Sequence, residues 1–140
     1  MRTISYFTDE PSAEEVIQIG GRSTVFIRKD IEPITEETDG EERTYWQAVE
    51  YSTQVNTLKF SVTEEFIDQL IEAETQAEAE RVRDKRNELL DKTDKEMTVD
   101  RIERETPEKV EAWKIYRQAL RDVPEQEGFP FDVIWPEKPM

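Results

Sequence analysis

The chain has 140 residues, 35% of them hydrophobic against 38% charged, and carries a net charge of −15. That length fits one domain or two small units joined by a helix, no apolar run approaches the roughly 20 residues of a membrane span, and the N-terminus lacks the apolar stretch of a secretory signal. The absence of cysteine excludes disulfides and thiol chemistry, and the absence of histidine removes the commonest general base and zinc ligand.

The acidity is uneven. Residues 1–80 hold 19 acids and 6 bases, whereas residues 81–140 hold 15 acids and 13 bases. The first part should repel nucleic acid, whose binding depends on neutralising phosphates with Lys and Arg. It serves either as a solubilising surface or as a face for a basic partner, including an acidic inhibitor or nucleic-acid mimic.

Along the chain, Val16-Ile17-Gln18-Ile19 and Ser23 to Ile31 are two β-prone runs separated by Gly20-Gly21. A Gly-Gly pair there signals a hairpin, because glycine readily takes the positive φ of a tight turn. Strand alternation puts Val25, Ile27 and Ile31 on one face and Thr24, Phe26 and Arg28 on the other. The stretch from Glu32 to Glu42 combines Pro33, Asp39-Gly40 and a run of acids, which predicts a mobile loop. A third strand is expected over Arg43 to Thr53, rich in Tyr45, Trp46, Val49 and Tyr51, with a weaker fourth from Leu58 to Val62. Together these predict an acidic antiparallel β-meander over 1–62.

From Thr63 the period becomes helical. Ser61 or Thr63 can cap the start, and Glu64 and Glu65 suit its positive end. Phe66, Leu70, Ala73 and Ala77 form a stripe with Ile67 and Ile71 beside it. From Glu78 to Glu88, Val82 is the single large apolar residue. Helix is still predicted there from the pairs Glu78–Arg81, Glu80–Arg83 and Glu88–Lys92, each contributing about 0.2–0.5 kcal/mol. The region 63–105 therefore reads as a long, partly polar connecting helix with a break near Thr93-Asp94, and as a segment through which copies could self-associate. Too few apolar residues recur at heptad spacing for a coiled-coil stalk. Thr106-Pro107 reads as an N-cap with proline in the first turn. The following helix places Val110, Trp113, Tyr116 or Arg117, and Leu120 on one stripe and ends at Val123-Pro124. The tail from Gly128 is expected to be extended, with Phe129, Phe131, Val133 and Trp135 at alternating positions against an apolar neighbour.

Chemistry finds little support. Counted as a calcium loop from Asp91, the third, fifth, sixth and twelfth positions are Thr93, Lys95, Glu96 and Ile102, which fails the pattern. Asp39-Gly40-Glu41-Glu42 reads as an acidic turn, and Gly20-Gly21 lacks the lysine of a phosphate loop. Serines have no histidine to activate them. The expectation is no enzyme, no metal and no cofactor. The remaining candidate is the aromatic cluster near the C-terminus, read either as the core of a small helix-plus-tail unit or as a docking surface of the residue types enriched in interface hot spots.

Three segments carry a family resemblance: Arg83-Asp-Lys-Arg-Asn-Glu-Leu-Leu-Asp-Lys-Thr-Asp, then Ala112-Trp-Lys-Ile-Tyr-Arg-Gln-Ala-Leu-Arg-Asp-Val-Pro, then Gly128-Phe-Pro with Val133-Ile-Trp-Pro-Glu-Lys-Pro. In order and spacing they resemble the phage tail assembly chaperone family of tailed bacteriophages and prophages. Where that family usually carries a tryptophan after the Thr-Asp pair, this chain has Lys95, so contacts of that tryptophan are not carried over. The resemblance implies a non-enzymatic protein that binds a tail or tail-fibre polypeptide during virion assembly, in the cytoplasm of the infected or lysogenic host. The acidity and the lack of a long apolar run lead to the separate expectation of no nucleic-acid and no membrane partner. The alternative is a structural component retained at the tail tip or fibre. By motif match, Trp113, Tyr116, Arg117, Arg121, Phe129 and Trp135 are the expected partner-binding cluster. The predicted architecture is α+β: a small N-terminal sheet, a long connecting helix (63–105), and a C-terminal helix with an extended aromatic and proline tail (106–140).

Overall fold

The computed structural model describes residues 1–55 and 61–140. They form an α+β protein in two compact units, Met1–Glu74 and Thr75–Met140. The weaker strand candidate at 58–62 falls mainly outside the described residues.

The first unit contains a four-stranded antiparallel sheet of β1 (Arg2–Phe7), β2 (Glu14–Ile19), β3 (Arg22–Thr38) and β4 (Glu41–Val55), in the spatial order β1-β4-β3-β2. Strands β2, β3 and β4 form the expected meander. Strand β1 was not legible in advance: its polar–apolar mixture, Arg-Thr-Ile-Ser-Tyr-Phe, becomes a strand by pairing Arg2 with Tyr51 through Phe7 with Trp46. The β2–β3 hairpin closes on Ile19 and Arg22, with Gly20 at φ +63. A positive φ at the first turn position alone is the pattern of a type II′ turn, which suits the strand twist.

The stretch 32–42 is not a loop. Strand β3 continues to Thr38 and turns at Asp39 (φ +55) and Gly40 (φ +78) into β4, pairing Thr35 with Thr44 and Glu36 with Arg43. Two consecutive positive φ values make a type I′ turn, for which Asp-Gly is a strong sequence signal. Pro33 is tolerated because, counting back from the closing pair Thr38/Glu41, it stands opposite Trp46 at a position whose nitrogen faces away from β4. A second correction concerns Ile31. A bulge between Lys29 and Glu32, with Asp30 at φ +51, adds one residue to β3, so Glu32 rather than Ile31 pairs with Gln47. The row of Val25 and Ile27 therefore stops at the bulge.

Helix α1 (Glu64–Asp94) starts where Thr63 Oγ1 accepts the Phe66 N–H at 3.2 Å. Its first turns bury Ile67 and pack Phe66, Leu70 and Ile71 on Val25, Ile27, Val49 and Tyr51, one face of the sheet. The apolar stripe is centred on Ile67, and Ala73 is exposed. The N-terminal ammonium, held by Glu74 Oε1 at 2.5 Å and the Ser52 carbonyl at 2.7 Å, ties β1 into this unit.

The other sheet face is organised by Arg28, which is only 6% exposed. Its Nε donates to Glu50 at 2.8 Å, Nη2 to Glu15 at 2.7 Å and Nη1 to the Ser12 carbonyl at 3.1 Å. The guanidinium also lies 4.9 Å from the Phe7 ring centre and 5.6 Å from that of Phe26. One cation thus links the approach to β2, β2 itself and β4. Burial disfavours its charged form, but the hydrogen bonds and the charges of Glu15 and Glu50 outweigh that and raise its pKa.

In the second unit, the remainder of α1 is followed by a 3-10 turn (Lys95–Met97), the short α2 (Val99–Ile102), α3 (Pro107–Arg121) and a second 3-10 turn (Val123–Glu125). The Glu78–Arg81 and Glu88–Lys92 pairs form as expected, whereas Arg83 lies over the Phe129 ring at 5.3 Å. Within the polar stretch, Ala79 and Val82 are buried. With Leu89 and Thr93 they recur every three to seven residues on one stripe, narrow because alanine and threonine occupy half of it. Helix α3 begins as predicted, with Thr106 Oγ1 accepting from the Lys109 N–H at 3.4 Å and Pro107 in the first turn.

Candidate partner-binding surface

Helix α3 is amphipathic, and its buried side carries the core of the second unit. Trp113, Tyr116 and Leu120 are buried together, with Leu89, Leu90, Met97 and Trp135 packed against them. Trp113 and Tyr116 meet edge to face, with centroids 5.9 Å apart and planes at 78°, the geometry aromatic quadrupoles favour. Lys138 Nζ lies 5.7 Å from the Trp113 ring, and Lys85 Nζ lies 4.2 Å from that of Trp135. The tail thus supplies both a ring and a cation to the same cluster.

Arg117 lies at the edge of this core and locks α3 to the end of α1. Its Nη1 donates to the Leu90 carbonyl at 3.2 Å, to Asp94 at 2.7 Å and to Thr93 Oγ1. Thr93 in turn donates to the Leu90 carbonyl at 2.7 Å. A guanidinium at a helix C-terminus complements the negative end of the helix dipole, here through the Leu90 carbonyl and the Thr93 and Asp94 side chains.

The segment after α3 is turned rather than extended. The Asp132 N–H donates to the Gly128 carbonyl at 2.7 Å and that of Phe129 to Gln126 at 3.0 Å. A Cβ on Gly128 would stand 2.2 Å from the Asp132 carbonyl oxygen, so only glycine fits this close approach. The side-chain amide of Gln126 then grips the backbone of Ile134 at both its N–H and its carbonyl, each at 2.8 Å. The expected extension from Gly128 fails here because local hydrogen bonds close the chain on itself before Val133. The alternation partly survives: Phe129, Phe131, Val133 and Trp135 are half-buried, and Asp132 and Ile134 are exposed.

The six residues singled out from the sequence divide by environment. Trp113 and Tyr116 are buried core, Arg117 is a largely covered cap, and Phe129 and Trp135 are half-buried beneath cationic side chains. Arg121 is exposed. It lines an open groove of about 440 Å³ on the outer side of α3, with Met97, Glu111, Lys114, Ile115, Arg117 and Gln118. Ile115, 62% exposed at the centre of this helix face, was missed by sequence reasoning. The signal was available: Glu111, Lys114, Ile115, Gln118 and Arg121 follow the i, i+3, i+4, i+7 spacing of one face, opposite the Trp113–Leu120 stripe.

Among the described residues there is no group of three or more acids placed to hold a metal ion, and no helix is long and apolar enough to cross a membrane. The arrangement is that of a small helical packing unit with an open helix face on which Ile115 stands among Lys114, Arg121 and Glu111, Lys114 and Glu111 being paired at 3.8 Å. Residues 79–140, which span this unit almost completely, match the family of phage tail assembly chaperone proteins. The match supports a role in phage tail assembly and confirms the resemblance over this segment. No curated protein and no solved structure matches the chain.

Proposed function

We propose that the protein is a non-enzymatic bacteriophage or prophage assembly factor that binds a tail or tail-fibre polypeptide in the host cytoplasm and shields it until it is built into the tail. The family match over residues 79–140 carries this reading. The outer face of α3 supplies the physical means. An exposed Ile115 beside Lys114 and Arg121 offers apolar area flanked by cations, a composition suited to an acidic amphipathic segment. Trp113, Tyr116 and Arg117 serve this face from behind, by holding α3 rigid against α1, while Phe129 and Trp135 anchor the tail beside it. Arg121 is the member of the set that touches the partner. The acidic N-terminal sheet selects among partners.

Two measurements test this reading. In co-expression with the tail and tail-fibre polypeptides of the encoding phage, the protein should raise their soluble yield. Ile115→Asp combined with Arg121→Glu should abolish that effect without altering far-UV circular dichroism or the melting temperature. Mass spectrometry of purified particles beside their lysate should find the protein abundant in the lysate and absent from particles. A fixed ratio to tail subunits in the particle would instead make it a virion component.

A further inference from the structure

Strand β2 lies at one edge of the sheet, and no strand pairs with its outer side among the described residues. All six of its residues are exposed, including Val16 (44%), Ile17 (41%) and Ile19 (78%). The register settles which backbone groups face outward. The Arg28 N–H donates to the Ala13 carbonyl at 2.7 Å, and the hairpin closes on Ile19 and Arg22, so residues 13, 15, 17 and 19 spend their amides on β3. Glu14, Val16 and Gln18 therefore turn their N–H and carbonyl groups away from the sheet. Folded proteins usually protect such an edge with lysine, proline, a bulge or a covering element. Strand β2 has no lysine, no proline and no register shift against β3. Its apolar residues also occupy both faces, Val16 on one and Ile17 and Ile19 on the other, the composition of an interior strand rather than an edge. Strand β1, at the opposite edge, has its apolar residue Phe7 on the face of Thr3 and Ser5 covered by the Arg28 guanidinium, with Ile4 and Tyr6 exposed on the other face.

We infer that β2 pairs antiparallel with β2 of a second copy of this chain, joining two four-stranded sheets into one of eight strands. The charge pattern is compatible with a second copy of the strand and sets the direction of pairing. Both acids of β2, Glu14 and Glu15, stand at its start. Antiparallel self-pairing about Val16 sets Glu14 opposite Gln18 and Glu15 opposite Ile17, so no acid faces an acid. A parallel arrangement would stack the acids of one copy on those of the other. A two-fold axis perpendicular to the sheet, midway between the two Val16 residues, also keeps like faces together and lets every outward amide find a partner. Glu15 is held by Arg28, which keeps the strand start fixed for pairing.

The test is the mass of the full-length protein in solution by sedimentation equilibrium, over a range of concentration and ionic strength. The expected result is a species of twice 16.6 kDa, favoured by added salt, because two copies of charge −15 repel and salt screens that repulsion. Val16→Lys places a charge at the centre of the seam, and Gln18→Pro removes an outward N–H without breaking a bond to β3. Each should weaken dimerisation at least tenfold with unchanged far-UV circular dichroism. If either variant misfolds, the other carries the test. A wild-type protein that stays monomeric at all concentrations would overturn the inference, and so would a dimer that both variants retain. A dimer that dissociates as salt is added would be held by opposite charges and would overturn it too.

Discussion

Replacing Trp113 by alanine distinguishes a core role from a docking role for the aromatic cluster. The side chain is 6% exposed and in edge-to-face contact with Tyr116. A buried aromatic of this size removes about 150–250 Å² from water, which at about 25 cal/mol per Å² corresponds to roughly 4–6 kcal/mol. Alanine keeps part of that, and the unfolded chain already buries some, so the expected loss is about 3–5 kcal/mol, the usual range for a truncated buried aromatic. Small domains are stable by only about 5–15 kcal/mol, and each kcal/mol moves the melting temperature by about 4–8 °C at this size. The second unit should therefore melt more than about 10 °C earlier. Far-UV circular dichroism at the helix band reads this directly, since the variant removes one of the fluorescent reporters. Trp135→Ala, at a half-buried ring, should cost clearly less. A loss below about 1 kcal/mol for Trp113→Ala, typical of surface positions, would refute the core assignment and return the ring to the docking surface.

Other consequences are equally open to measurement. Glu50→Ala leaves the buried Arg28 with its more exposed partner alone and should cost on the order of 3 kcal/mol in urea unfolding. Glu15→Ala should cost less than about 1 kcal/mol because Glu15 is 45% exposed; the reverse order would contradict the assigned roles. Gly128→Ala forces a Cβ onto the Asp132 carbonyl and should loosen the tail, seen as faster proteolysis after α3; unchanged cleavage would mean the turn is not tight. Tyr45 donates to Glu36 at 2.8 Å, and this hydrogen bond raises the phenol's pKa. A raised folded-state value means that the contact supports the β3–β4 hairpin below the ordinary phenol pKa of about 10 and is lost as pH rises through the folded value. In an ultraviolet titration, Glu36→Gln should move one tyrosine to lower pH; four unshifted tyrosines would rule the contact out.

The sequence by itself determined the features set by residues within a few positions of one another. Thr63 and Thr106-Pro107 announced both long helices, because a hydroxyl reaches the N–H three residues on whatever the rest of the chain does. Gly20-Gly21 announced a hairpin, whereas Asp39-Gly40, set among acids and Pro33, read as part of a loop, and only the β3–β4 pairing made it a hairpin turn. The motif pieces from Arg83 onward pointed to the tail-assembly family. Tertiary structure alone decided what depends on distant partners. Strand β1 exists because β4 offers it an edge, and its own composition is too mixed to announce it. Arg28 reads as a solvated strand residue until Glu15, Glu50 and Phe7 from three other strands close over it beside Phe26 of its own strand. The division within the C-terminal cluster has the same origin. Helical spacing puts Trp113 and Ile115 on different faces, but only the packing of α3 against the end of α1 decides which face is core and which meets solvent.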